Sequence, residues 1–191
     1  SSAASDVYKR QVSRYILSRR GPLAISVNQC GGYFSSHPSL PHPDQQLYFN
    51  PVTYTTTPSG TRTIINTDPF SGFVLGFSPT RPSSRGFVHI SSCSPTAKPI
   101  INPNSLSTDE DLESVISGAR LCQSFIATSE LKSLIDEPFV SDLASMSDKQ
   151  MLDDFRQRSG TVFHPVGTCR MGKNAKNAVV DNQLRLFGID G

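Results

Sequence analysis

The sequence predicts an α+β fold, an antiparallel β-sheet with helices packed on one face. Three observations carry that expectation. Short runs rich in β-branched and aromatic residues, divided by Pro, Gly and Ser, fill residues 23–92. Behind them Leu112, Val115, Ile116, Ala119, Cys122 and Ile126 recur at three- and four-residue steps, the period of an amphipathic helix. A further segment opens like a helix at Ser147. At 191 residues the chain can bury one substantial core, or one domain with part of another.

Residues 1–11 do not read as protein evolved to fold. Asp6-Val-Tyr-Lys-Arg-Gln11 is also the translation of GAT-GTG-TAT-AAG-AGA-CAG, the end of a common transposase sequencing adaptor, so a non-native scar is expected. From Val12 a helix should run through Tyr15 and Ile16 to a basic end before Gly21-Pro22, its beginning lost. Leu23-Ala-Ile-Ser-Val27 alternates and reads as a strand. Gln46 to Tyr54 is a second, with Pro51 at an edge or bulge. Gly72 to Phe77 and Gly86 to Ser91 complete the set. The connection from Thr55 to Ser71 is long enough to be a functional loop or a crossing segment.

Ser107-Thr-Asp-Glu110 has the form of a capping box, with Asp109 and Asp111 suited to a helix N-terminus. The helix it opens should reach about Ala127, with a short second piece from Ser129 to Ile135. Ser147-Asp-Lys-Gln150 starts another in the same manner, with Leu152 and Phe155 on its buried side and Gly160 beyond its end.

Composition excludes several classes. An apolar share of 36% with 14 prolines and 13 glycines indicates many turns. A net charge of +2 is too small for nucleic acid or an anionic membrane surface as partner. No window approaches the roughly 18 uninterrupted apolar residues of a transmembrane span. Cys30, Cys93, Cys122 and Cys169 form no CxxC pair and offer no metal-ligand spacing, so no metal site is expected. Free, mostly buried thiols are expected instead, which favours a reducing, cytoplasmic setting.

The chemistry concentrates in Thr161-Val-Phe-His-Pro-Val-Gly-Thr-Cys-Arg-Met-Gly172, a turn-forming run around one titratable side chain, His164. Pro165 biases His164 towards an extended backbone, and Gly167 permits close approach of the chain to a ligand. A solitary loop histidine taken alone is more often structural or solvated than catalytic. His89 alternates with Val88 and Ile90 and reads as a solvent-facing or satisfied strand residue rather than a catalytic one. His37 and His42 lie among prolines and serines and read as loop residues. Cys169 lies five positions from His164, which does not by itself make a thiolate–imidazole pair. Tyr48, Phe49, Tyr54, Phe73 and Phe77 could line a substrate pocket or pack the sheet against the helices.

His164-Pro-Val-Gly-Thr-Cys-Arg-Met-Gly172 followed by Val179-Val-Asp-Asn-Gln-Leu-Arg-Leu-Phe-Gly188 resembles the C-terminal signature of the glucose-methanol-choline (GMC) flavin oxidoreductases, in tone closest to choline-dehydrogenase-like alcohol dehydrogenases. The resemblance runs from about Val12 to Gly191. It implies an incomplete substrate-binding domain at 12–160, then a catalytic loop and partial return into a missing FAD-binding domain at 161–191. It further implies that His164 takes the hydroxyl proton of a small alcohol while hydride passes from its carbon to N5 of FAD. An imidazole, with an ordinary pKa near ~6.5, suits that task at neutral pH. The family's second histidine or asparagine would lie beyond this segment. Arg170 is expected in a structural ion pair, and Asp181 and Arg185 in a turn and strand.

No G-x-G-x-x-G dinucleotide fingerprint occurs, so the main FAD contacts are expected outside this segment. The polypeptide as written should bind no FAD stably and be inactive alone. The alternatives are a hydroxynitrile lyase of the same fold and a catalytically silent binding or accessory domain. The electron acceptor is not legible.

Overall fold

The computed structural model describes residues 2–24, 26, 28–55, 66–68, 70–139 and 142–189. They form two compact units, one of residues 1–81 and 113–151, the other of 82–112 and 152–191. Among the described residues the expected single sheet is three small antiparallel ones.

In the first unit, helix α1 spans Ser2–Ser18. It ends two residues short of the expected end before Gly21 and begins within residues 1–11 rather than at Val12. Arg19, in the left-handed region at φ +54°, donates its N–H to the Tyr15 carbonyl, and Gly21 follows at φ +99°. Leu23 and Ala24, expected to open a strand, do not. Pro22–Ala24 make one 3-10 turn, and Ile25 and Val27 lie outside the described residues.

The first strand is instead β1 (Cys30–Phe34), followed by β2 (Gln45–Asn50), β3 (Tyr54–Thr55), β4 (Asn66–Thr67) and β5 (Val74–Pro79). The expected run from Gln46 to Tyr54 breaks after Asn50 because Pro51 has no N–H for a ladder. The three-stranded sheet has order β1-β2-β5, with Leu47 opposite Phe77 and Tyr48 opposite Gly76. β3 pairs with β4, so part of the expected long connection is a short ladder; 56–65 lie outside the described residues.

Gln45, Leu47 and Phe77 share the face that meets helix α2 (Asp109–Ile126), whose residues from Glu113 belong to this unit. Val115, Ala119 and Cys122 are buried on the matching side of α2. Gly118 lets the backbones approach: a Cβ there would lie 2.7 Å from Gln45 Oε1 and closer still to the Phe77 ring. Gln45 is fully buried, and its amide nitrogen donates to the Ser114 carbonyl and hydroxyl, both at 2.8 Å. Phe34 meets Phe125 edge to face, ring centroids 5.5 Å apart. On the sheet's other face the Tyr48 ring lies over Gly76. Its hydroxyl donates to the Phe77 carbonyl at 3.3 Å and bonds Ser78 Oγ at 2.9 Å. Phe49 packs on Phe73 with centroids 5.2 Å apart. The aromatic run thus makes packing contacts within this unit.

Helices α3 (Ser129–Lys132) and α4 (Asp148–Arg158) follow, with an unforeseen 3-10 turn at Leu143–Ser145. Ser147 and Gln150 form the reciprocal cap the sequence suggests, Ser147 N–H to Gln150 Oε1 at 2.9 Å and Gln150 N–H to Ser147 Oγ at 3.4 Å. The buried residue of α4 is Met151; Leu152 and Phe155 are only half-buried, a correction to the expected face.

The cysteines are free, but only Cys122 is buried, whereas Cys30, Cys93 and Cys169 are exposed. The expectation of mostly buried thiols is therefore wrong. Burial pushes the Cys122 thiol up to about 12, which makes it an inert packing group.

In the second unit β6 (Phe87–His89) pairs with β7 (Ile100–Asn102). His89 is exposed as expected and lies against Phe87, centroids 4.4 Å apart. The first turn of α2 is organised one residue later than the sequence suggests. Thr108, not Ser107, caps it, accepting from the Asp111 N–H at 3.3 Å. Ser107 instead donates its N–H to Ser84 Oγ at 2.9 Å.

Asp111, 5% exposed, gathers the N–H of Ser83 at 2.7 Å, the N–H of Ser84 at 3.2 Å and both serine hydroxyls. Burial raises its pKa, but the hydrogen bonds from the Ser84 hydroxyl, the two N–H groups and the Ser83 hydroxyl together hold the carboxyl below its ordinary value of 3.8. A depressed folded pKa contributes stability above the ordinary value, and that contribution is lost as pH falls through the folded value. Asp111→Ala is expected to lower stability by about 1–2 kcal/mol at pH 7, because it leaves two half-buried N–H donors without their acceptor. The deficit should shrink below about pH 4 in paired urea titrations.

Candidate functional site

The segment carrying the sequence-predicted chemistry begins where α4 ends. Ser159 N–H closes the last turn on the Phe155 carbonyl at 2.7 Å, and Arg158 pairs with Asp154. Gly160 then releases the chain into residues 161–170, every one of them exposed. Thr161 Oγ1 accepts from the Phe163 N–H at 3.1 Å, and Phe163 takes φ +62°. His164 and Pro165 follow, then Gly167 at φ +100°, with open space where a Cβ would stand.

His164 is exposed, and among the described residues its imidazole has no hydrogen-bond partner. Val162, Phe163 and Val166 flank it with exposed apolar side chains, Phe163 at 85% and Val166 at 93%. Cys169 is also exposed and makes no hydrogen bond to His164. His37 is engaged locally, Nδ1 to Ser39 Oγ at 2.7 Å. His42 borders a shallow cavity of about 400 Å³ with Tyr33, Pro43, Thr80 and Arg81, in the first unit.

Beyond Cys169 the chain folds back on itself. Val179 N–H donates to the Arg170 carbonyl and Gly172 N–H to the Val180 carbonyl, each at 2.9 Å. Val180 bridges both Met171 and Leu186, so the expected strand-forming return is isolated bridges and turns. Asp181 and Arg185 close the last turn with an ion pair of 2.7 Å. Hydrogen bonds from the Arg185 side chain and N–H hold the Asp181 carboxyl below its ordinary range. Among the described residues Arg170 does not make the ion pair the sequence suggested. Its Nε donates to the Asn177 carbonyl, and the turn encloses about 310 Å³ lined by Arg170, Met171, Gly172, Lys173, Asn174 and Asn177. Sequence reasoning passed over Lys173, Asn174 and Asn177, which carry no spacing signal, and over Thr161, whose hydroxyl reads as an ordinary loop polar group.

No group of three or more His, Cys, Asp or Glu among the described residues is placed to hold a metal ion. Likewise, no helix among them is long and apolar enough to cross a membrane.

Comparison with known proteins places this segment in a family. The C-terminal GMC oxidoreductase profile matches residues 82–191. An alcohol dehydrogenase (acceptor) of Pseudomonas putida is 33% identical over 175 residues, covering 92% of this chain and 30% of that protein. A mitochondrial choline dehydrogenase of Mus musculus is 27% identical over 180 residues, 92% of this chain and 29% of that protein. The fold is similar to that of a formate oxidase of Aspergillus oryzae RIB40 described for modification of its FAD. That likeness has a TM-score of 0.70 at 25% identity, over 95% of this chain and 35% of the oxidase. The family is FAD-dependent. The chain spans about a third of the length of the relatives it matches. With 110 of 191 residues inside the family profile, the chain belongs to the GMC oxidoreductases.

Proposed function

We propose that this chain is the substrate-facing part of a longer FAD-dependent enzyme that oxidises the CH–OH group of a small alcohol, with His164 as the base. The observation that carries the reading is an imidazole with no hydrogen-bond partner among the described residues, held between a left-handed residue and a proline, in a segment matching the family profile.

The residues here fit part of a flavin site. Val162 and Val166 offer exposed apolar surface beside His164, and open space at Gly167 leaves the backbone free to approach a flat ring. Nothing in the sequence supplies a glycine-rich turn for the diphosphate, so these residues would meet only one edge of the cofactor. Bound FAD supplies the hydride acceptor. The chain's contribution is at the alcohol oxygen: His164 accepts the hydroxyl proton as the C–H bond is broken. Exposed apolar neighbours suit the exclusion of water from that position once it is covered. Three exposed free thiols, Cys30, Cys93 and Cys169, favour a reducing compartment for the parent.

The test uses the FAD-loaded parent enzyme under anaerobic conditions with 1-butanol, benzyl alcohol, choline and mandelonitrile. Bleaching of the flavin by at least one alcohol is expected. Cleavage of mandelonitrile without bleaching would assign a lyase instead. Neither reaction, with FAD bound, would leave a silent binding domain and overturn the proposal.

A further inference from the structure

We propose that Phe163 is a positioning residue for His164, its left-handed backbone fixing the direction in which the adjoining imidazole leaves the chain. The inference rests on the reading of His164 as the base. A bulky side chain at φ +62° is an outlier, because its Cβ crowds the neighbouring carbonyl. Here the ring does not compel it, since Phe163 is 85% exposed.

What holds the backbone is local. The Phe163 N–H donates to Thr161 Oγ1 at 3.1 Å, an interaction that fixes the entry to the outlier. On the other side Pro165 disfavours the helical region for His164. The histidine therefore has a constrained residue before it and a constraining one after it, which narrows the directions in which its side chain leaves the chain.

The other non-glycine residues at positive φ serve ends and turns. Arg19 closes α1, Asn104 and Leu106 lie in the approach to α2, and Leu184 sits in the turn closed by Asp181 and Arg185. Phe163 alone is followed directly by an imidazole. Backbone strain kept next to an acid–base group is the pattern expected of pre-organisation, where orientation is set before substrate arrives.

The test is a substitution series in the FAD-loaded parent, read by the anaerobic rate of flavin reduction with the fastest of the three alcohols named above. FAD affinity from flavin fluorescence and the thermal midpoint are measured alongside. Gly and Asn accept positive φ, whereas the β-branched Val does not. Phe163→Gly and Phe163→Asn should keep the reduction rate within about threefold, with a midpoint at or above wild type. Phe163→Val should lower the rate at least tenfold with FAD affinity unchanged. Thr161→Ser, which keeps the acceptor, should hold the rate that Thr161→Val loses.

An order that follows apolarity, with Val active and Gly and Asn impaired, would assign the role to the ring and overturn the inference. A flat series, or equal loss in all variants, overturns it too. His164→Ala separates the two levels. If that variant loses flavin reduction while the Phe163 series is flat, only the positioning role fails. If it reduces flavin normally, the base assignment fails and the positioning role with it.

Discussion

His164→Ala is expected to slow alcohol-dependent flavin reduction by about 10²–10⁴-fold in the FAD-loaded parent, the usual contribution of a positioned acid–base group. The flavin should stay bound. The size of this effect can be assigned to chemistry because the fold gives His164 no structural task. Its side chain is exposed and has no hydrogen-bond partner among the described residues. Substitutions at such surface positions usually change stability by no more than about 0.5 kcal/mol. Stopped-flow absorbance for the rate, with a thermal melt of the same preparation, separates the two contributions.

Gly118→Val should produce the largest loss of stability, about 2–4 kcal/mol, or a fall of roughly 10 °C in thermal midpoint. Two effects oppose each other. Replacing glycine inside a helix gains at most about 1 kcal/mol of helix propensity. Against it, a Cβ at Gly118 would stand 2.7 Å from Gln45 Oε1 and nearer still to the Phe77 ring. Gln45 has little room to yield, being fully buried and tied to Ser114, so the half-buried Phe77 ring would have to leave its place against α2. Gly118→Ala should also destabilise, less severely, showing that contact with the sheet outweighs propensity. Urea denaturation of the two variants beside wild type checks the order.

The helices were legible because their signals are local. The spacing from Leu112 to Ile126 defines α2, and the Ser147–Gln150 reciprocal cap defines the start of α4. The strands were less so. β1 contains Gly31 and Gly32, poor strand formers by propensity, and is held by pairing with β2, a long-range fact that no window contains. Leu23 to Val27 alternates convincingly, yet Pro22–Ala24 form a 3-10 turn. β7 is three residues long, too short for a periodic signal. Gly118 escaped notice because a helix-period reading ranks glycine as neutral, while its importance lies in the approach of Phe77 and Gln45.

At the candidate site, the loop and its histidine could be read from Pro165 and Gly167, residue types that declare their backbone preferences. Phe163 could not, since nothing about phenylalanine announces a positive φ. The Arg170 contact was misread for a similar reason. A charge suggests a charged partner, but the turn places the Asn177 carbonyl within reach instead.

The base assignment is tested most directly by the rate of anaerobic flavin reduction in the His164→Ala parent, measured with increasing free imidazole. The account predicts a slow reaction without imidazole that accelerates as the small base is added. A wild-type rate in the absence of imidazole would contradict it.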